Sequence, residues 1–197
     1  MRFVLASENP GKIVEMRKLL SVPGIEIVSR KELDIDMVVD ETGGTFYENA
    51  LIKAKAICNA SRLPAIADDS GLEVDALGGN PGVYTSSFGG EGLDDSERCD
   101  FLLDKLRDTE HRNAKFVCYI VCVFPDGEII SSNGECKGVI AKAPRGAGGF
   151  GYDPVFIAEG MDATMAELDE EIKNRISHRG KALESFVRII ESKATPG

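Results

Sequence analysis

A basic surface is what this sequence most plainly lacks. Its 197 residues carry 33 acidic against 23 basic side chains, a formal net charge of −10 and a pI near 4.8. Nucleic-acid backbones and anionic membranes call for the opposite balance, so broad binding to either is excluded. A small anionic ligand stays compatible where local lysines or a metal ion offset the field. No apolar run is long enough to span a membrane, and the apolar stretch in the opening MRFVLASENPGK is too short for a signal peptide, so a cytoplasmic protein is expected. No internal repeat, linker or low-complexity segment divides the chain, and its length suits one domain over residues 1–197. Cys58, Cys99, Cys118, Cys122 and Cys136 form no C-x-x-C pair and are odd in number. Buried thiols in a reducing compartment are expected, not disulfides or zinc.

What is present alternates between strand and helix patterns, the signature of an α/β protein. Residues 2–6 read as a first strand. A helix is expected after Asn9, with Pro10 at its first position and Ile13, Met16, Leu19 and Leu20 on one face. A longer helix over 45–60 opens on Thr45 and Glu48 at capping-box spacing. Residues 64–68 form a strand that Ser70-Gly71 brings to an end, and Leu72 to Asp75 extend the sheet. A helix over 94–108 precedes AKFVCYIVCVF, the turn Pro125-Asp126-Gly127 and EIISSNGECKGVI, which read as an antiparallel meander. Thr164 and Glu167 open a short helix, and a last one begins at about 178.

Five stretches can carry chemistry. SENPGK (7–12) follows a strand and opens a helix, so free N–H groups and the positive helix end face whatever sits there. An N-cap plus a surface lysine explains the fragment equally well, and the spacing is not that of a P-loop. In DETGGTFYENALIKAKA, Glu41 precedes the flexible segment Thr42-Gly43-Gly44; it is a solvated loop acid or a metal ligand. Glu48 has a sufficient task in the capping box, and Asn49 and Lys53 follow on the same helix. PAIADDSGLEVD (64–75) sets Asp68 and Asp69 at the carboxyl end of a buried strand, where open α/β sheets build their sites. Two such carboxylates raise each other's pKa unless a cation intervenes, and Mg²⁺ is the natural one, since it binds through one or two carboxylates plus phosphates. By strand alternation one acid faces the site and the other the backbone or the surroundings of the site. In GFGYDPVF (149–156), Phe150 or Tyr152 can stack on a flat ring, or the bend simply packs on its own aromatics. In KNRISHRGKAL, Ser177 is a candidate N-cap that leaves His178 and Arg179 in the first turn of a helix, where cations are disfavoured unless compensated. The other histidine, His111, sits in a polar loop.

SENPGK, ETGGTFYENA, ADDSGLEVDALGGNPGVY, GGFGYDP and SHRGKAL, in this order from residue 7 to residue 183, resemble the inosine triphosphate pyrophosphatase family of non-standard purine nucleoside triphosphate pyrophosphatases. The resemblance implies an elongated mixed central sheet flanked by helices, two lobes and a cleft between them. It implies hydrolysis of ITP, dITP and XTP to the monophosphate and pyrophosphate with Mg²⁺, by a homodimer. Position by position, it implies that the loop Ser7, Glu8, Asn9, Pro10, Gly11 and Lys12 holds the triphosphate. Glu41 and Asp69 would hold the metal, and Asp69 would activate the attacking water. Ser70 would contact the substrate. Phe150, Gly151, Tyr152 and Asp153 would form a wall of the base pocket, and Lys173, His178 and Arg179 would read the base. Arginine paired to O6 and N7 favours hypoxanthine and xanthine over adenine, and Arg179 is the candidate. The family pattern continues after PG-x-Y with Ser-Ala-Arg, whereas this chain has Thr85-Ser86-Ser87 and no arginine there. Two rival readings are a related pyrophosphatase with another base preference, such as modified pyrimidines, and a nucleotide-sensing module without turnover.

Overall fold

Asn9 sets the first helix by its own side chain. In the computed structural model, which describes residues 1–21 and 23–194, Asn9 accepts the backbone N–H of Lys12 at 3.2 Å and Pro10 takes the first position of α1 (Pro10–Leu19). Proline's missing N–H has no helical partner there in any case. Val22 and Thr195 to Gly197, part of the expected 1–197 domain, lie outside the described residues.

α1 follows β1 (Arg2–Leu5), which pairs in parallel with β2 (Glu26–Ser29) on one side and β3 (Ala65–Val74) on the other. The six-stranded sheet continues through β4 (Asn113–Val123), β5 (Ile129–Ile140) and the short β6 (Phe156–Ala158), in the order β2-β1-β3-β4-β5-β6. β5 and β6 are antiparallel, so the sheet is mixed and the fold is α/β as expected. β2 and β6 were not legible as strands: each is an edge of four residues or fewer without clear alternation.

The chain divides into two units. The first comprises Met1–Asp69, Cys118–Gly134 and the stretch from Arg179 onward; the second comprises Ser70–Val117 and Glu135–His178. In the first, alternation along the strands splits the core in two. Phe3, Leu5, Ile66, Cys118 and Ile120 point to one face and meet Met16 and Leu20 of α1 with Leu183 and Phe186 of α5 (His178–Ala194). Val4, Ala65, Ala67 and Val121 point to the other and meet Ala50, Ala54 and Ile57 of α2 (Phe46–Ser61). Each large apolar side chain buried this way contributes about 1.5–3 kcal/mol. The second unit has one core, in which Leu72, Phe116, Ile140 and Phe156 from the strands pack with Cys99, Leu102 and Leu106 from α3 (Asp95–Lys105) and its end. α4 (Glu170–Ile176) completes it. All five cysteines are buried and free, as expected.

Three local expectations change. β3 does not stop at the acid pair but runs through Asp68, Asp69, Ser70 and Gly71 to Val74; the reason lies in the cations set against each acid, described below. Thr164 and Glu167 form a turn, not a helix: the Glu167 carboxylate accepts the Thr164 N–H at 2.8 Å and satisfies it locally, and α4 starts later, at Glu170. At the start of α2, Thr45 caps Glu48 N–H at 3.2 Å, but the Glu48 carboxylate reaches back to Gly44 N–H at 2.8 Å, and Asn49 Oδ1 takes Gly43 N–H at 2.8 Å. Thr42-Gly43-Gly44 is therefore tied down, not a hinge. Glycine is needed at 43 for space, because a Cβ there would lie 2.6 Å from Glu48 Cβ and 2.7 Å from Asn49 Oδ1. Gly43→Ala should destabilise the protein by about 1–3 kcal/mol, read from the midpoint of urea unfolding; an unchanged midpoint would contradict this packing.

Candidate active site

Strand geometry places the acid pair. Successive side chains of β3 point to opposite faces, so Asp68 follows Ile66 toward α1 and α5, and Asp69 follows Ala67 toward α2. Each face supplies its own cations. Asp68, 2% exposed, receives Lys12 Nζ at 2.9 Å on Oδ2, and the same oxygen accepts from Arg179 Nε at 3.3 Å and Nη2 at 3.2 Å. Arg179 Nη1 donates to Glu15 Oε2 at 2.5 Å. On the other face Lys53 Nζ bridges two acids, lying 2.8 Å from Glu41 Oε2 and 3.2 Å from Asp69 Oδ1.

Opposite surroundings give adjacent acids opposite acidities. Burial alone would raise Asp68, but Lys12, Arg179 and Lys53 outweigh it and hold its carboxyl well below the usual range. Asp69 moves the other way: burial raises it, Lys53 and Lys12 offset this only in part, and the charges of Glu41 and Asp68 push it up further. Burial disfavours the charged form of Lys53, yet Asp69, Asp68 and Glu41 outweigh that and keep it protonated. The cluster thus holds four carboxylates, Glu15, Glu41, Asp68 and Asp69, against three cations, Lys12, Lys53 and Arg179, leaving one formal negative charge.

These residues fit a divalent cation. Asp69 Oδ2 is buried and has no hydrogen-bond partner among the described residues, and Glu41, with 43% of its side chain exposed, shares Lys53 with it. Among the described residues no group of three or more His, Cys, Asp or Glu is arranged to hold a metal. A hard cation would therefore rest on two carboxylates and on phosphate oxygens from a ligand, the usual arrangement for Mg²⁺.

The loop before α1 is partly committed. Asn9 spends its side-chain oxygen on Lys12 N–H, its own N–H donates to Ser7 Oγ at 3.3 Å, and Glu8 pairs with Arg30 at 2.9 Å. Pro10 and Gly11 lie in the first turn of α1. Arg30 also donates to the carbonyls of Ile35 and Met37, which anchors the chain leading to Glu41.

The second unit holds Ser70, partly exposed in β3, and the 149–153 loop. Asp153 Oδ2 accepts Phe150 N–H at 2.9 Å and Lys173 Nζ at 2.8 Å, and Lys173 Nζ lies 5.0 Å from the centroid of the Phe150 ring. Tyr152 is 1% exposed in the core, with its hydroxyl donating to Thr85 O at 3.1 Å, so of the two aromatics only Phe150 is left partly open for stacking. The His178 ring stacks on Phe116, 4.7 Å between centroids and 12° from parallel. Ser87, where the resembled pattern has arginine, donates to Tyr84 O at 3.4 Å. The buried Arg98 does not replace that arginine, since it is bound to the carbonyls of Phe88 and Leu93.

Arg179 is engaged by two acids of the first unit. Its Nε/Nη2 fork is on Asp68 and its Nη1 on Glu15, with 3% of the side chain exposed, so it offers no open fork to O6 and N7 of a purine. Here it is the counter-ion of Asp68. Sequence reasoning missed Glu15 and named Lys53 without giving it a role. The signal was present: both are charged residues at helical spacing within the apolar stripes of α1 and α2, beside Met16 and Ala54.

The folded-state pKa of Asp68 lies below its unfolded value, so its stabilising contribution is complete above about pH 4 and is lost as the pH falls below that. Asp68→Asn leaves Lys12 and Arg179 short of a buried partner and should cost about 3–5 kcal/mol at neutral pH, with a weaker loss of stability on acidification. Thermal melts across pH 7 to 3 test this, and a wild-type melting temperature at pH 7 would contradict it.

A family model described as the Ham1 family matches residues 3–189. The chain is 42% identical over 191 residues to the dITP/XTP pyrophosphatase of Bacillus subtilis, covering 96% of each, and 45% identical over 198 residues to that of Thermus thermophilus, covering 100% of this chain and 95% of the other. A HAM1 protein from Coxiella burnetii superposes with a TM-score of 0.90 at 40% identity, over 98% of this chain and 99% of the other. The Ham1 protein of Staphylococcus aureus does so with a TM-score of 0.89 at 41% identity, over 98% and 100%.

Proposed function

The chain belongs to the Ham1 family, and from that membership we propose that it hydrolyses ITP, dITP and XTP to the nucleoside monophosphate and pyrophosphate, removing non-standard purines from the nucleotide pool. The observation that carries the reading is the full-length similarity, at 42–46% identity, to relatives named dITP/XTP pyrophosphatase. We take residues 1–197 as one two-lobed catalytic domain, acting as a homodimer in the cytoplasm. No helix among the described residues is long and apolar enough to cross a membrane.

Water attacks the α-phosphorus, the bond from that phosphorus to the bridging oxygen breaks, and pyrophosphate leaves. Asp69 takes the proton. An ordinary aspartate is a weak base at neutral pH, and burial beside Asp68 and Glu41 raises Asp69 toward the useful range. Lys12 and the N–H groups at the start of α1 face the charge that develops on the leaving phosphates, with Ser7, Glu8, Asn9, Pro10 and Gly11 shaping that loop. Mg²⁺ held by Glu41 and Asp69 would neutralise charge on the phosphate oxygens. Lys53 holds those two carboxylates together before substrate arrives. Arg179 serves through Asp68, which it holds ionised and in place. In the second unit, Ser70 contacts the substrate, Phe150 stacks on the base with Gly151, Tyr152 and Asp153 forming the wall behind it, and Lys173 and His178 read its edge. Lys173 can donate to O6 of hypoxanthine or xanthine, where adenine carries an amino donor instead.

Pyrophosphate release from ITP, XTP, GTP and ATP, each with Mg²⁺ and with EDTA, tests the reading. Fast, metal-dependent release from ITP and XTP alone is expected; equal rates on all four would leave a pyrophosphatase of other preference, and no release would favour a nucleotide-sensing module. Asp69→Asn should reduce turnover by about 10²–10⁴-fold. Because the folded-state pKa of Asp69 is raised, ionising it costs stability, and the variant should melt no lower than wild type at pH 7. Near-normal turnover would remove Asp69 as the base.

A further inference from the structure

The loop that takes the base is held by a helix to which the reaction above assigns no role. Gly151 has φ +62°, a left-handed conformation that suits glycine, and nothing lies within 4 Å of the place its Cβ would occupy. Packing does not fix this residue; its two polar groups do. Its N–H donates to Asp95 Oδ2 at 2.7 Å, and its carbonyl accepts from Cys99 Sγ at 3.4 Å. Asp95 and Cys99 stand four residues apart on α3, one turn along the same helix face, so a single face holds both backbone polar groups of one residue, and with them the peptide units on either side of it. The Cys99 thiol is pushed up to about 12 by burial and by the neighbouring acids, Asp95 first among them, so it stays protonated and able to donate. The residue before Gly151 is Phe150, whose ring lies against Lys173.

We propose that Asp95, with Cys99, is a positioning residue for base recognition: α3 fixes the Gly151 peptide and through it the place of the Phe150 ring. The inference rests on the assignment of Phe150 and Lys173 to the base. A hydrogen bond donated to a carboxylate at 2.7 Å is among the stronger ones, and a left-handed glycine has no side chain to hold it otherwise. Without the tether the loop must be ordered at the moment the base binds, which weakens binding. The groups assigned to phosphate, metal and water belong to the first unit, apart from Ser70, and keep their own partners. The loss therefore falls on KM and leaves kcat in place.

Steady-state kinetics on ITP and ATP, with melting temperatures, for wild type, Asp95→Ala and Asp95→Asn test the proposal. Asp95 is exposed, so truncation there leaves the core intact. Asp95→Ala should raise KM for ITP by about 10-fold, keep kcat within about twofold and narrow the ITP over ATP preference, with little change in melting temperature. Asp95→Asn, which keeps an oxygen acceptor at the same reach, should stay within about threefold of wild type. A wild-type KM in Asp95→Ala, a loss confined to kcat, or an Asn variant as impaired as the Ala variant overturns the inference alone, provided wild type discriminates between ITP and ATP. A wild type that does not discriminate overturns the base-recognition reading and this inference with it.

Discussion

Two adjacent acids can be buried in one strand only if each face brings its own positive charge, and the first unit is arranged around that constraint. β3 turns Asp68 toward α1 and α5 and Asp69 toward α2. Lys12 and Arg179 answer the first, and Lys53 answers the second while also holding Glu41. An isolated buried carboxylate would take up a proton or unfold the strand. With its counter-ions in place the strand instead continues to Val74, and the chain passes from the first unit to the second between Asp69 and Ser70.

The two faces are not equivalent, and the difference divides the work. Asp68 is compensated beyond the cost of its burial and stays ionised, so it serves as a fixed anion that positions Lys12 and Arg179. Asp69 is under-compensated, keeps one buried oxygen without a hydrogen-bond partner among the described residues, and is pushed toward a pKa at which a carboxyl can accept a proton. The stability given up at Asp69 is what would suit it to the proposed role of base, and the surplus at Asp68 helps offset it. In a protein of net charge −10, three buried or half-buried cations, Lys12, Lys53 and Arg179, are gathered around this one acid pair.

Much of this was legible in the residues. Asn9 before Pro10, the apolar period of α2 and the run Ala65 to Ala67 marked their elements correctly because each carries a strong local signal. The end of β3 was misplaced because Ser70-Gly71 directly after two acids reads locally as a strand end, and the cations that allow it to continue come from residues 12, 53 and 179, distant in the chain. The same distance hid the pairing of Arg179 with Asp68 and Glu15 and the grip of Asp95 on Gly151, 56 residues away. Tyr152 looked like a stacking ring because its burial depends on a core assembled from α3, β4 and β5. Thr164 and Glu167 have capping-box spacing, yet the same side-chain bond closes a turn as readily as it starts a helix.

Asp68 and Asp69, adjacent in sequence, are shifted in opposite directions from the ordinary aspartate pKa. Carboxyl ¹³C NMR titration of the two aspartates in the metal-free protein, assigned with the Asn variants, measures this directly. Asp68 should remain ionised down to the onset of acid unfolding while Asp69 titrates above the ordinary aspartate value. Two carboxyls titrating together near the ordinary value, or Asp68 taking up its proton first, would contradict it.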